Sequence, residues 1–407
     1  MLRTIDVQQL RPGMYVHRML GSWLKHPFWR TSFLADADDV ARLQASVVRQ
    51  VVIDVGQGLD VAAMASPASA AAPMPQDEPA AAQDEAPTPP AALSGATPLA
   101  TEMERARRIC EEGRDVMAAM FREARLGRMI DPAEAMPLVE EISGSVLRHP
   151  GALISVARLK TADDYTYLHS VAVSALMTAL ARQLKLPEQQ VMEAAMGGLL
   201  HDMGKAAMPL EVLQKPGKLD DEEFRIVRLH PEEGERLLRA GGIENPAVLD
   251  IALHHHEKID GSGYPHRLAG EQISRLARMG AICDVYDAIT SNRPYKQGWD
   301  PGESLRRMAS WNGHFDPVLF KAFVRSLGIY PIGTLVRLAS DKLGVVVEQH
   351  SGSLLTPCVR VFFSARSRQQ LLLHDVDLAA PGCQDQIVQI ESPRQWGFKD
   401  LEKLWLA

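Results

Sequence analysis

The pattern of apolar and polar residues divides the chain into three folded segments. Residues 1–58 combine strand-like runs with one short helix, and VVRQVVIDV (47–55) is rich in the β-branched residues that favour strands. Residues 101–326 show the periodicity of successive helices, with Pro and Gly between them. Residues 327–407 change to short β-branched runs separated by Ser-Asp and Ser-Gly turns, which is typical of a β-meander. We therefore predict a mainly α protein with a small N-terminal α/β domain and a β-rich C-terminal extension.

Local signals refine this division. Residues 59–100 are a biased Ala/Pro stretch without a periodic apolar face, and we expect them to form a disordered linker. Asp163 or Asp164 can cap the helix that follows them. Asp220 and Glu223 form a capping-box pattern ahead of another helix.

Composition and charge exclude several classes of protein. No apolar run approaches the roughly 18 to 20 residues that span a bilayer, and the start lacks the features of a signal peptide, so we expect a cytoplasmic protein. The net charge of -7 argues against a protein that coats nucleic acid. The four cysteines lie far apart, which favours free thiols over disulfides or a thiolate zinc site.

Histidine is unevenly distributed, because eight of the 13 histidines lie between His169 and His314. Histidine is the commonest metal ligand and a common acid or base. His169 begins an apolar helical face, where it is either a hydrogen-bonded core residue or a ligand. Asp284 shares a face with small residues, where a buried carboxylate needs an N–H group, an arginine or a metal. The pair His201-Asp202 ends a predicted helix, but alone it is weak evidence for a metal, because chance or a surface salt bridge explains most such dipeptides.

The triplet HHH (254–256) can be divided by helical phase. Asn245 and Pro246 have the residue types of N-cap and first helical position for a helix that continues through the histidines. On that helix His255 and His256 follow apolar positions and point inward, as metal ligands would. His254 instead lies over a polar face, as a supporting residue.

Together these motifs resemble a known family. The sequence contains YTYLHS (165–170), HDMGK (201–205), KPGKL (215–219), His230, HHHEKIDGSGYP (254–265) and SNRPYK (291–296). The set is similar to the HD-GYP branch of the HD superfamily of metal-dependent phosphohydrolases, which are bacterial cyclic di-GMP phosphodiesterases. The likeness covers roughly residues 140 to 320. LRPGMYVHRMLGSWLKHPF (10–28) resembles, more weakly, the small domain often found ahead of HD-GYP domains.

The resemblance implies a binuclear metal site. It assigns one metal to His169, His201, Asp202 and Asp284, and a second to His230, His255, His256 and the bridging Asp202. Some members hold a third metal through a Glu one helical turn before the first histidine, but Tyr165 stands there in this chain, so we expect two metals. Ligands of nitrogen and oxygen suit Fe or Mn, with Ni and Zn as alternatives.

The resemblance also implies substrate contacts. Lys205 would neutralise phosphate charge or assist the departing 3′-oxygen, and Arg293 and Lys296 match phosphate-binding cations of the family. Without the resemblance, Lys205, Arg293 and Lys296 would each be taken for a solvated surface charge. Asp287, one helical turn after Asp284, is a candidate partner for Lys205 or for a ligand histidine. Gly263, Tyr264 and Pro265 would border the substrate; the alternative for this segment is an ordinary surface turn with Tyr264 covering the core.

Three functional hypotheses follow from these assignments. The first is hydrolysis of cyclic di-GMP to pGpG, with GMP as a further product, by a hydroxide that bridges two metals. The second is a weakly active sensor of cyclic di-GMP or a module that binds GGDEF-domain proteins. The third is an HD phosphohydrolase for another nucleotide. A GGDEF-domain protein and a second copy of the chain are candidate partners.

Overall fold

The computed structural model describes residues 2–20, 33–44, 49–59, 99–128, 131–160, 164–215, 217–291, 298–350 and 352–406. The chain divides into two compact units, residues 1–96 and 97–407. Almost all of the predicted linker, residues 60–98, lies outside the described ranges, as do Asp163, Arg293 and Lys296.

The first unit is a small α/β fold, as predicted. Its elements are β1 (Leu2–Asp6), β2 (Tyr15–Leu20), β3 (Phe33–Leu34), α1 (Ala37–Gln44) and β4 (Gln50–Asp54). The strands form an antiparallel sheet in the order β1-β4-β2-β3. Val51 and Ile53 of β4 pack with Val16 of β2 and Leu43 of α1 in one apolar core. The β-branched run therefore forms the centre of this sheet, where its side chains are buried.

The second unit begins with a helical domain, which confirms the predicted all-helical middle. Its helices are α2 (Leu99–Arg125), α3 (Met136–Arg148), α4 (Pro150–Ala157), α5 (Tyr165–Gln183), α6 (Glu188–Leu200), α7 (Leu210–Leu213), α8 (Asp221–Val227), α9 (His230–Ala240), α10 (Pro246–His254), α11 (Arg275–Thr290), α12 (Pro301–Ala309) and α13 (Pro317–Leu327). Helix α5 is buried continuously from His169 to Ala181, since mostly small and apolar residues occupy every face. It packs against α6, α11 and α13, and so forms the centre of the domain.

The predicted helix caps are mostly confirmed. Asp220 and Glu223 form the capping box of α8, and the Asn245 side chain accepts hydrogen bonds from two N–H groups at the start of α10. For α5 the sequence predicted Asp163 or Asp164 as the cap, and Asp163 lies outside the described residues. Asp164 occupies the N-cap position, but its helical φ/ψ of -94° and 0° is not that of a capping residue, and its side chain makes no capping hydrogen bond. Helix α10 also ends earlier than predicted, with His255 at its C-cap.

The C-terminal segment is a β-sheet, as predicted, with one departure from a meander. Its elements are β5 (Leu335–Leu338), β6 (Lys342–His350), β7 (Ser353–Ser364), β8 (Gln369–Asp377), β9 (Ile387–Ile390) and α14 (Pro393–Trp396). The order is β8-β7-β6-β5-β9, so β9 returns to pair with β5 on the far side of the meander. Leu335, Val345 and Trp405 share a core with Met103 of α2 and Ala152 of α4, which fixes the sheet against the helices. All four cysteines are free.

Candidate metal centre

Five helices bring the predicted ligands together from distant parts of the sequence. Helices α5 and α11 present His169 and Asp284 on buried faces. The ends of three further helices supply the rest: His201 and Asp202 after α6, His230 at the start of α9, and His255 and His256 after α10. Adjacent residues within a helix diverge by about 100°, a restriction that ends with the helix. Neighbours such as His201 and Asp202 can therefore face the same point.

The potential ligand atoms form two groups. One group contains His169, His201 and Asp202, and the other contains His230, His255 and His256. Within each group the ligand atoms all lie within 4.8 Å of one another. All of these residues except His256 are almost fully buried, which excludes solvated surface charges as an explanation.

Asp202 lies between the two groups, and each of its carboxylate oxygens faces one of them. Asp202 Oδ2 is 3.3 Å from His201 Nε2 and 3.5 Å from His169 Nε2. Asp202 Oδ1 is 3.3 Å from His230 Nε2 and 3.9 Å from His255 Nε2. A carboxylate in this position can bridge two cations.

Asp284 also reaches both groups. Its Oδ1 is 3.0 Å from His169 Nε2, and its Oδ2 is 3.7 Å from His256 Nδ1. The family resemblance implies only the first of these two contacts. Helix α11, which carries Asp284, packs against α5, α6 and α10, the helices beside both groups.

The histidine rings are oriented by hydrogen bonds on the side away from the site. In three of them Nδ1 lies within hydrogen-bond distance of a backbone carbonyl: His201 with Gly198 at 2.8 Å, His230 with Val227 at 2.7 Å and His255 with Ala252 at 2.9 Å. A carbonyl only accepts, so Nδ1 carries the proton and Nε2 keeps its lone pair. That tautomer is the one that binds a metal through Nε2.

Two buried atoms at the centre lack a hydrogen-bond partner among the residues that the structure describes. They are His201 Nε2 and Asp202 Oδ1. Buried polar atoms are nearly always paired, because leaving one unpaired costs roughly 1–3 kcal/mol. A divalent cation would satisfy both, since both are electron-pair donors. The residues present therefore fit a metal site.

The pKa values of Asp202, His255 and His256 are shifted in the directions that favour metal binding. Burial acts to raise the pKa of Asp202, but the charge of Lys205 and the adjacent His201 outweigh it and hold that pKa well below its usual value. Burial, together with the neighbouring histidines, holds the pKa of His255 well below its usual value, and burial lowers the pKa of His256 to about 3. At neutral pH the carboxylate is ionised and these two imidazoles are neutral, which are the forms that bind metals.

Asp287 orients His169. Its Oδ2 accepts a hydrogen bond of 2.6 Å from His169 Nδ1 and one of 2.5 Å from Lys160 Nζ. The sequence left open whether Asp287, one helical turn after Asp284, is a partner of Lys205 or of a ligand histidine. The structure places it beside His169 and away from Lys205, which instead donates to Asp202 Oδ2 at 2.5 Å.

The turn formed by Gly263, Tyr264 and Pro265, called the GYP turn below, lies directly against the second group of ligand atoms. The Tyr264 ring stacks on the His256 ring, with centroids 4.6 Å apart. A Cβ at position 263 would lie 2.4 Å from Lys258 N and 2.5 Å from Glu257 Cα, so only glycine lets the turn pass this close to the backbone. The buried Glu257 carboxylate accepts hydrogen bonds from backbone N–H groups just beyond Pro265 and anchors the turn. Tyr264 therefore forms a border of the site.

His254 lies apart from both ligand groups. Its Nδ1 is 2.6 Å from Asp250 Oδ1, and its Nε2 is 3.0 Å from His266 Nδ1. The contact with Asp250 agrees with the polar face on which helical phase placed His254, and a supporting role for it stays a prediction. Arg293 and Lys296, the predicted phosphate-binding cations, lie outside the described residues.

Comparison with known proteins identifies the family. The model of the HD domain matches residues 147–319, and that of a domain of unknown function (DUF3391) matches residues 2–135. The chain is 54% identical over 407 residues to the protein named cyclic di-GMP phosphodiesterase PA4108 of Pseudomonas aeruginosa, with 100% of this chain and 96% of that protein covered. This chain belongs to the HD-GYP family.

Two further comparisons gave matches at lower identity. A Vibrio cholerae protein named 3′3′-cGAMP-specific phosphodiesterase 2 is 40% identical over 157 residues, 38% of this chain and 30% of that protein. The solved structure of Bd1817, an HDG"Y"P protein from Bdellovibrio bacteriovorus, aligns with a TM-score of 0.47 at 16% identity, covering 79% of this chain and 98% of that one.

Three residues near the HD-GYP site carry no signal in the sequence. Lys160 is a buried charge whose partner, Asp287, is 127 residues away. Glu257 is a buried charge that pairs with backbone N–H groups 9 and 11 residues further along the chain. Arg228 places its Cζ 4.6 Å from the centre of the Tyr264 ring, and its guanidinium makes no hydrogen bond or ion pair with any residue that the structure describes. Each looks like an ordinary surface charge in the sequence, because only the fold brings its partner near. Within the described ranges, no helix has the length and apolarity to cross a membrane.

Proposed function

We propose that this HD-GYP protein hydrolyses a 3′,5′-phosphodiester bond of cyclic di-GMP and releases linear pGpG, with GMP as the product of a second cleavage. The observation that carries the proposal is the position of Asp202, whose two oxygens face two separate groups of histidine nitrogens. The name of the relative that aligns along the whole chain supports the choice of substrate.

Seven side chains would hold the metals. One cation would take His169, His201, Asp202 and Asp284, and the other would take Asp202, His230, His255 and His256. Fe or Mn suits this set of nitrogen and oxygen ligands, with Ni and Zn as alternatives. Two divalent cations, when bound, lower the pKa of water and stabilise the negative charge of a phosphoryl group under attack.

The chain's own side chains would place and polarise the phosphodiester. Lys205 lies beside Asp202 with its side chain 26% exposed, so its ammonium group is available both to the centre and to an incoming phosphate. It can neutralise charge on the phosphate or donate a proton to the departing 3′-oxygen. Arg125 holds this turn in place by donating hydrogen bonds to the backbone carbonyls of Lys205 and Met208.

The rim of the site supplies groups suited to a guanine nucleotide. Tyr264 offers a ring against which a base can stack, next to the proposed ligand His256. Arg228, stacked on Tyr264, offers a guanidinium fork to a phosphate or a guanine edge. Arg293 and Lys296 are proposed to bind phosphate, and Gly263 and Pro265 to shape the border.

The direct test is hydrolysis by the purified protein loaded with Mn or Fe. Cyclic di-GMP, 3′3′-cGAMP and pGpG are incubated separately, and the products are separated by chromatography. We expect turnover of cyclic di-GMP, and loss of both metal and turnover in Asp202→Ala. Hydrolysis of 3′3′-cGAMP alone would assign the chain to the substrate named for its Vibrio relative. Tight binding of cyclic di-GMP without turnover in the fully loaded protein would make it a sensor.

The histidine triplet offers a matched test of the ligand set. His255→Ala and His256→Ala should each lose one of two metals, measured by elemental analysis of the purified proteins. His254→Ala removes an adjacent histidine that contacts Asp250 and His266, and it should retain both metals. Equal metal loss in all three variants would contradict the assignment.

The remaining proposals concern location and partners. We propose a cytoplasmic protein that meets a GGDEF-domain partner through the surface around the GYP turn, and a homodimer is a second proposed assembly. Affinity purification of the tagged chain, with Tyr264→Ala as the comparison, tests the first contact. Light scattering of the purified protein tests the second.

A further inference from the structure

Lys160 is a buried lysine one layer outside the proposed metal ligands. It lies between α4 and α5, its side chain is 0% exposed, and its Nζ donates to Asp287 Oδ2 at 2.5 Å. The same ammonium group donates to the Leu168 carbonyl at 3.4 Å. Burying an ammonium group is costly unless it is paired, so a lysine here needs a reason beyond packing.

Asp287 connects that charge to a ligand. Its Oδ2 accepts from Lys160 Nζ and from His169 Nδ1 at once, and its Oδ1 accepts a hydrogen bond of 3.2 Å from Ser291. Both carboxylate oxygens are thereby fixed. The opposite nitrogen, His169 Nε2, points to Asp284 Oδ1 at 3.0 Å, inside the first ligand group.

The ring of His169 also has a stacked aromatic neighbour. Tyr165 stacks on it with an interplanar angle of 8° and a centroid distance of 5.8 Å, and Lys160 Nζ lies 5.7 Å from the centre of the Tyr165 ring. Lys160 therefore contacts both the carboxylate and the aromatic ring that hold His169. No other lysine among the described residues has a fully buried side chain in contact with the group that orients a proposed ligand.

We propose that Lys160 is a positioning residue for metal binding: it fixes Asp287, and through Asp287 it holds His169 Nε2 toward the metal that His169 shares with His201. This inference rests on the metal site of the proposed function. Lys160 touches neither metal nor substrate. Removing it leaves Asp287 as a buried carboxylate without this cation, free to leave the geometry that orients His169.

The test measures metal affinity rather than turnover. Mn²⁺ is titrated into the metal-free full-length protein, and the affinities of the two sites are determined separately. Lys160→Met should weaken one site by about 10- to 100-fold and leave the other unchanged, since loss of a group that orients a ligand has effects of this size. Lys215→Met is the matched control, because Lys215 makes an equally short ion pair with Glu223 on α8 but contacts no proposed ligand.

Further variants separate positioning from general stability. Asp287→Asn should weaken the same site, and Lys160→Met/Asp287→Asn should weaken it no more than Asp287→Asn alone, because Lys160 acts through Asp287. If Lys160→Met does not fold, Asp287→Asn and the double variant test the positioning role of the Lys160–Asp287 pair. The double variant has no unpaired buried charge, because neither Met nor Asn is charged. Lys160→Arg, which keeps the positive charge, should recover part of the lost affinity.

Two results would overturn the inference. One is wild-type affinity at both sites in folded Lys160→Met or in Asp287→Asn. The other is equal weakening at both sites, which would indicate a merely structural ion pair. Failure of the proposed function is distinct: wild-type protein that binds two Mn²⁺ ions without hydrolysing cyclic di-GMP would refute the enzyme and leave the role of Lys160 intact.

Discussion

Gly204 lies where the turn after Asp202 meets the first turn of α9. A Cβ at this position would lie 1.8 Å from the carbonyl oxygen of His230 and 2.4 Å from the backbone nitrogen of Gly234. Both are backbone atoms and cannot rotate away as a side chain would. Gly204→Ala therefore forces the turn and α9 apart.

The size of the displacement follows from these distances. Ordinary van der Waals contact begins at 3.4 Å, so the backbones must separate by about 1.6 Å. Asp202 Oδ1 and His230 Nε2 are now 3.3 Å apart, and after this separation they could not both lie at normal ligand distances from one cation. Overpacking of this kind costs about 1–3 kcal/mol of stability or more. We expect a folded, less stable protein that keeps the metal of the first group and loses that of the second.

Elemental analysis and hydrolysis of cyclic di-GMP measure the two consequences. Gly280→Ala is the control, because its new Cβ would lie 3.4 Å from Ile251 and 3.5 Å from His255, in ordinary contact beside the same site. Two bound metals and normal turnover in Gly204→Ala would refute the reasoning. Equal losses in Gly280→Ala would show that the site tolerates no added methyl group, and would refute the specific role of Gly204.

Two further predictions concern charge. Lys205→Met should keep both metals and lose about 10²- to 10⁴-fold in kcat, as expected for a group that assists the leaving oxygen; elemental analysis and steady-state kinetics check this, and unchanged kcat would exclude the role. Burial raises the pKa of Asp300, the N-cap of α12, to about 6. The folded state then favours the protonated form of Asp300. Its contribution to the free energy of unfolding is therefore fully present below pH ~4 and is lost as pH rises through 6, by up to about 3 kcal/mol. Asp300→Asn should remove that fall in chemical unfolding between pH 4 and 7, and parallel curves for the two proteins would contradict it.

Signals from residues close together in the sequence predicted several helix caps and strand positions correctly. The capping box at Asp220, the cap at Asn245 and the β-branched run that forms β4 were identified correctly, because each depends on residues within a few positions of one another. Asp164 occupies the predicted N-cap position of α5, but its side chain makes no capping hydrogen bond and the backbone there adopts helical angles. The return of β9 to β5 could not be predicted either, because it pairs residues as far apart in the sequence as Val336 and Ile390.

The candidate site was predicted unevenly for the same reason. Helical phase separated His254 from His255 and His256, although α10 ends at His254 and the turn after it sets the directions of the other two. Asp287 was identified as a supporting residue, but its partner was left open between Lys205 and a histidine. Arg228 and Glu257 were missed, since neither belongs to a periodic pattern and both act through the GYP turn.

The sequence by itself determined which residues are candidates to bind metal, where α8 and α10 begin, and to which family the chain belongs, because residue type and short spacing encode these properties. Only the tertiary structure decided how those residues act together. It placed the two oxygens of Asp202 toward different groups of histidines, turned Nε2 of three histidines inward, and buried Lys160 against an aspartate 127 residues away. Such contacts arise when packed helices close long loops of chain, and no local pattern specifies which side chains will then meet.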